Sequence, residues 1–222
     1  MDFLIELLIS VPCVLIALTV HECAHAFVAY KLGDPTAKSQ DRLSLNPIKH
    51  LDIVGAICLI LFHFGWAKPV PINTRYFKRP KAYMALSSLA GPVSNLLLGF
   101  VFCFFYVLAH KLYLVVDEAS FWYSVADALT LFLYYFVVLN ISLAIFNFIP
   151  LPPLDGSRVL YSFLPEKAYF KVMKREREIA VAFMLILIID SRFLGGYISG
   201  AISTVVGFIF NGFTTLFINL LF

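Results

Sequence analysis

Of 222 residues, 61% are hydrophobic and 14% are charged, with a mean hydropathy of +0.87; an ordinary soluble domain carries nearly twice that share of charge. Such a balance excludes a soluble enzyme and points to an integral, multi-pass membrane protein. The net charge of +3 decides little by itself, whereas its distribution along the chain sets an orientation.

A spanning helix needs about 20 apolar residues. Residues 3–30 meet that length, and with neither a basic n-region nor a small-residue cleavage site they read as a retained first span, not a signal peptide. Residues 53–65 are apolar but too short to cross. Bracketed by "LSLNPIKHLD" and the two prolines of "WAKPVPIN", they predict a re-entrant hairpin. A second span follows at 83–109 and a third at 121–146. Residues 179–189 are apolar but short, and 195–222 are long enough to span while carrying Gly195, Gly196, Gly200, Gly207 and Gly212. The fold class is therefore an all-α polytopic membrane protein of four to five transmembrane helices, with a re-entrant hairpin between the first and second. One membrane-integral domain covers 1–222: a catalytic core over 1–165 and additional C-terminal hydrophobic helices over 166–222.

Nine of the 17 Lys and Arg lie between Lys31 and Lys81 and six more between Arg158 and Arg177. By the positive-inside rule the loop after the first span and the segment after the third are cytoplasmic, and the amino terminus is outside. In a prokaryote the membrane would be the plasma membrane. Topology accounts for these basic loops without nucleic acid, for which no aromatic-interleaved polar domain is present. Cys13, Cys23, Cys58 and Cys103 lie in apolar stretches without a CxxC spacing and read as small buried hydrophobes.

The first span holds "HECAH". On a helix His21 and His25 are one turn apart on one face, close enough for both imidazoles to bind one metal ion, and Glu22 lies beside them. HExxH is the zincin spacing, in which the histidines are ligands and the glutamate is general base toward a metal-bound water. A charge at the bilayer centre costs at least about 2.5 to 3.5 kcal/mol, so ionisable groups in a span are normally paired and functional. A catalytic zinc takes three protein ligands and leaves one position open. In "NFIPLPPLDGSRVL", Pro150, Pro152 and Pro153 forbid a continuous helix, and irregular backbone at membrane depth must be buried or line a wet cavity. Asp155 on that segment is the candidate third ligand; it could also cap a helix starting near Ser157. Gly156 would give the chain freedom to turn. Earlier, in "AGPVSN", Gly91 permits close helix approach and Asn95 can bond across helices, a packing role first and a site role second. His50 and His63 belong to the hairpin and His110 to the outer interface.

"HECAH" together with "NFIPLPPLDG" resembles the site-2 protease family of intramembrane zinc metalloproteases, and "DRLSLNPIKHLDIVG", "GWAKPVPIN" and "AGPVSN" look like family segments between them. The resemblance covers most of residues 15–165. It implies one zinc ion held by His21, His25 and Asp155, Glu22 as the base that activates water, and Asn147 near the scissile carbonyl. It implies, too, a substrate that is a transmembrane protein or peptide in the lipid bilayer, cut toward the cytoplasmic side. The chain has the look of a minimal form, without a PDZ or a cystathionine-synthase-type domain. Oligomeric state and substrate identity are not legible. The rival reading is a metal transporter or sensor with the same ligands and no hydrolysis, for which Glu22 would be dispensable. A rhomboid-like protease would need a GxSG-type serine, and a prenyl-protein metalloprotease an ExxxD-like pattern that Glu166, Glu176 and Glu178 do not supply.

Overall fold

A computed structural model describes residues 3–55 and 67–221. Four helices are long and apolar enough to cross a membrane: α1 (Phe3–Lys31), α3 (Pro80–Val115), α4 (Phe121–Phe148) and α8 (Tyr197–Leu221). The shorter helices are α2 (Thr36–Ser39), α5 (Gly156–Ser162), α6 (Glu166–Lys174) and α7 (Glu176–Phe193), with 3₁₀ turns at Pro47–Lys49 and Thr74–Tyr76. Among the described residues there is no strand, only an antiparallel bridge between Leu51 and Ala67. The predicted hairpin at 53–65 lies almost wholly outside the described residues; its two ends are held together by that bridge and by the Lys68 N–H, which donates to the His50 carbonyl at 2.8 Å.

The prediction of four to five spans resolves to four. Helix α7 has an apolar middle, but Glu176, Arg177, Glu178, Asp190 and Arg192 crowd its ends, leaving too short an uncharged run to cross. Ser120 starts α4 as an N-cap, its Oγ accepting from the Trp122 N–H at 3.3 Å. Gly195 and Gly196, at φ of +79° and +73°, turn the chain from α7 into α8, a left-handed geometry that glycine adopts without steric cost.

Helix α3 is the hub. Its 36 residues span about 54 Å at 1.5 Å per residue, well beyond an apolar slab of about 30 Å, so its ends stand outside the hydrocarbon. It packs against α1, α4, α5 and α8. Where α3 meets α4, Gly99 makes room: a Cβ there would lie 3.0 Å from Ile141 Cγ1. Cys103, Val107, Val137, Ile141, Val206 and Phe217 form the core between α3, α4 and α8, and Phe100 sits 5.0 Å from the rings of both Phe213 and Phe217. The opposite faces keep large apolar groups outward, Leu97 at 59% and Phe208 at 80% exposure, as helices in lipid require. Cys13 and Cys103 are buried and free; Cys23 is half-buried, and Cys58 is outside the described residues.

Candidate active site and metal centre

One turn apart on α1, His21 and His25 both point at α3 and are 6% and 7% exposed. Their rings lie edge to face with centroids 4.6 Å apart. The room for them comes from Gly91: a Cβ there would fall 2.5 Å from His25 Cε1 and 2.6 Å from His21 Cε1. No residue larger than glycine fits while the imidazoles keep these positions.

Asp155 arrives from the segment after α4, at the same end of the bundle as the histidines. The α4 helix stops at Phe148 because the prolines that follow cannot continue it, and the chain folds through tight turns before α5 begins at Gly156. Gly156 is needed for space, not for rotational freedom as the sequence suggested: its φ is unexceptional, and a Cβ would collide with the carbonyl oxygens of Phe148 and Ile149, the latter at 2.6 Å. Nor does Asp155 cap α5, since it has helical φ and ψ and makes no side-chain cap bond. Its carboxylate turns instead to the histidines. Oδ2 lies 3.1 Å from His21 Nε2 and 3.3 Å from His25 Nε2.

The donor set fits a zinc ion. Four ligand atoms about 2.0 Å from a tetrahedral metal are separated by about 3.3 Å, and the two carboxylate-to-imidazole distances match that edge; all three atoms lie within 4.8 Å of one another. Both Nδ1 atoms are already engaged, His21 with Asn95 Oδ1 at 2.5 Å and His25 with the Ser87 carbonyl at 2.7 Å. A ring that donates from Nδ1 presents Nε2 as a lone pair. Two such lone pairs and a carboxylate oxygen converging on one point demand a cation, a metal or protons, between them.

Glu22 follows His21 on the same helix and is half-buried. Its Oε2 accepts from the Val70 N–H at 2.9 Å. Val70 lies on a stretch without helix or strand, 67–73, pinned at one end by Arg42 Nη2 donating to the Lys68 carbonyl at 2.5 Å and at the other by the Asn73 N–H donating to Asp34 Oδ2 at 2.6 Å. Asp34 is fully buried. The loop after α1 thereby holds a backbone donor against Glu22.

The structure thus brings together His21, His25 and Asp155, with Glu22 beside them. Asn147 is not tied to that group: its Nδ2 donates to the Leu143 carbonyl one turn back at 3.0 Å. Asn95 is more closely involved than the sequence reading gave it credit for, and Asn140, which that reading passed over, bonds to Asn95 at 2.8 Å. The available signal was an asparagine in the apolar middle of a span, away from its ends. His50 is structural, buried with Nε2 on the Ser44 carbonyl at 2.7 Å; His110 stacks between Tyr106 and Tyr113; His63 is outside the described residues.

A family model described as peptidase family M50 matches residues 10–190, a stretch containing all five candidate residues. The chain is 44% identical over 184 residues to the provisionally named zinc metalloprotease YwhC of Bacillus subtilis, covering 83% of this chain and 80% of that protein. It is 27% identical over 194 residues to the likewise named Rip2 of Mycobacterium tuberculosis, covering 85% and 69%. Against Rip2 of Mycolicibacterium smegmatis the identity is 30% over 152 residues, covering 64% and 52%. No solved structure matches the chain.

Proposed function

The chain belongs to peptidase family M50 and is a membrane zinc metalloprotease, and we propose that it is an intramembrane endopeptidase that hydrolyses a peptide bond within or near a transmembrane segment of a membrane-tethered substrate. The observation that carries this reading is the meeting of His21, His25 and Asp155 in a bundle of apolar helices, with Glu22 one residue along.

In this reading His21, His25 and Asp155 hold one zinc ion. When bound, the ion would polarise the scissile carbonyl and lower the pKa of a water at the site to about 7. Glu22 takes the proton from the attacking water and later gives it to the leaving amine. The Val70 N–H holds one carboxylate oxygen in place, so the other is the one that moves the proton. Asn147 spends one amide hydrogen on Leu143 and keeps the second for a substrate carbonyl. A peptide bond inside a helix is shielded by its own turns, so the substrate must be unwound. The 67–73 stretch, free of helix and bridged to Leu51 through Ala67, is a candidate edge for it to lie against.

The basic loops after α1 and α4 support a cytoplasmic active site, with the cut fragment released to that side. The test is a model single-span substrate in liposomes, with zinc content and cleavage measured for wild type and Glu22→Gln. We expect about one zinc in each and cleavage by the wild type alone. Equal cleavage by both would remove Glu22 from the mechanism, and zinc binding without any cleavage would favour a metal-binding role.

A further inference from the structure

Asn95 on α3 and Asn140 on α4 are both completely buried in the apolar interior. An amide there is costly unless its donors and acceptors are matched, and the partners of this pair fix which way each one faces. Asn140 Nδ2 donates to the Phe136 carbonyl, one turn back on α4, at 2.8 Å. Its Oδ1 is thus the atom that meets Asn95, accepting from Asn95 Nδ2 at 2.8 Å. The second hydrogen of Asn95 Nδ2 goes to the Ala17 carbonyl of α1 at 3.2 Å. With both hydrogens committed, Asn95 can turn only Oδ1 toward His21 Nδ1, 2.5 Å away. An oxygen that only accepts requires a nitrogen that donates.

We propose that Asn95 and Asn140 are positioning residues that lock His21 in its Nδ1–H tautomer and so keep Nε2 free to bind metal. The relay starts at a backbone carbonyl of α4, crosses α3 and ends on the metal-facing side of α1. Neither asparagine touches metal or substrate. The inference rests on the metal role proposed for His21, and it adds a specific dependence. Without Asn140, only the longer bond to the Ala17 carbonyl, at 3.2 Å, still opposes a half-turn of the Asn95 amide that would present Nδ2 to the histidine. His21 would then accept at Nδ1 and carry its proton on Nε2, the form that cannot bind metal through that nitrogen.

The test is a four-way comparison of zinc affinity, by chelator competition on the purified full chain. Asn140→Leu should weaken zinc binding by about 10- to 100-fold, as loss of an outer partner typically does. Asn95→Asp has two acceptor oxygens and no wrong orientation, so in that background the same Asn140→Leu change should alter the affinity by less than about threefold. A packing role for Asn140 would carry the loss unchanged into the Asn95→Asp background, and that result would overturn the proposal. A second measurement needs no variant: ¹⁵N spectra of histidine-labelled wild type, zinc-free and above the histidine titration, should show the His21 proton on Nδ1. A proton on Nε2 in a chain that binds zinc sinks the relay alone. A wild type with no zinc affinity sinks the metal reading instead.

Discussion

Replacing Gly91 by alanine puts a methyl group 2.5 Å from His25 Cε1 and 2.6 Å from His21 Cε1, where ordinary contact begins near 3.4 Å. The rings must retreat by roughly 0.8 Å, against a tolerance of about 0.2 Å in a metal–ligand distance. In a loose site two imidazoles would simply swing aside. Here Nδ1 of each is tied, to Asn95 and to the Ser87 carbonyl, so the strain falls on those bonds or on the helix contact between α1 and α3. Overpacking of this kind costs about 1–3 kcal/mol, equivalent to roughly 5- to 150-fold in an equilibrium constant, and because the strain sits on two ligands it should appear as lost zinc affinity. The assay is chelator competition in detergent micelles, with helix content and melting recorded alongside. Zinc affinity within twofold of wild type, in a folded Gly91→Ala chain, would refute the argument that Gly91 makes the space for the metal.

Gly156→Ala should be more damaging, because the atoms its Cβ meets are backbone carbonyls of Phe148 and Ile149 that cannot rotate away; thermal melts should show a lower midpoint and zinc titrations weaker binding, and an unchanged melt would contradict the tight-turn account. Asp34→Ala removes the acceptor for the Asn73 N–H and slackens the 67–73 stretch that carries Val70. Leaving that donor unpaired costs about 1–3 kcal/mol; kcat should fall while zinc affinity holds, and a parallel loss of both would place Asp34 in general stability instead. Chelation of the wild type should abolish cleavage and added zinc restore it, in a time-resolved fragment assay; chelator-resistant cleavage would argue for a mechanism without the metal.

How much of this was legible in the sequence depended on how local the information was. The pairing of His21 with His25 follows from helix geometry, and a spacing of four residues fixes it wherever the helix goes. Asp155 is different: its arrival at the histidines depends on the turns after α4 and the contact of α5 with α3; the proline-broken segment made it a candidate, and the resemblance to the site-2 protease family implied the ligand role. Those turns also explain why the expected cap at Asp155 is absent, since the carboxylate cannot face both the α5 backbone and the imidazoles. Asn140 was missed because its partner is chosen by the register of α4 against α3, which no single-helix pattern encodes. The Val70 contact to Glu22 was invisible for another reason, that a backbone N–H has no side-chain signature. The fifth span was ruled out by the charges at the ends of α7, which an apolar count over 179–189 leaves out.

The centre itself is tested most directly by zinc-edge X-ray absorption on the purified, metal-loaded chain, alongside Asp155→Ala. The account predicts about one zinc per chain with two imidazole nitrogens and light-atom oxygen ligands near 2.0 Å, and a spectrum that loses an oxygen and a chain that loses affinity when Asp155 is removed. Cys23 lies between the two histidines in sequence, and a sulfur shell near 2.3 Å, or a spectrum indifferent to Asp155, would contradict it.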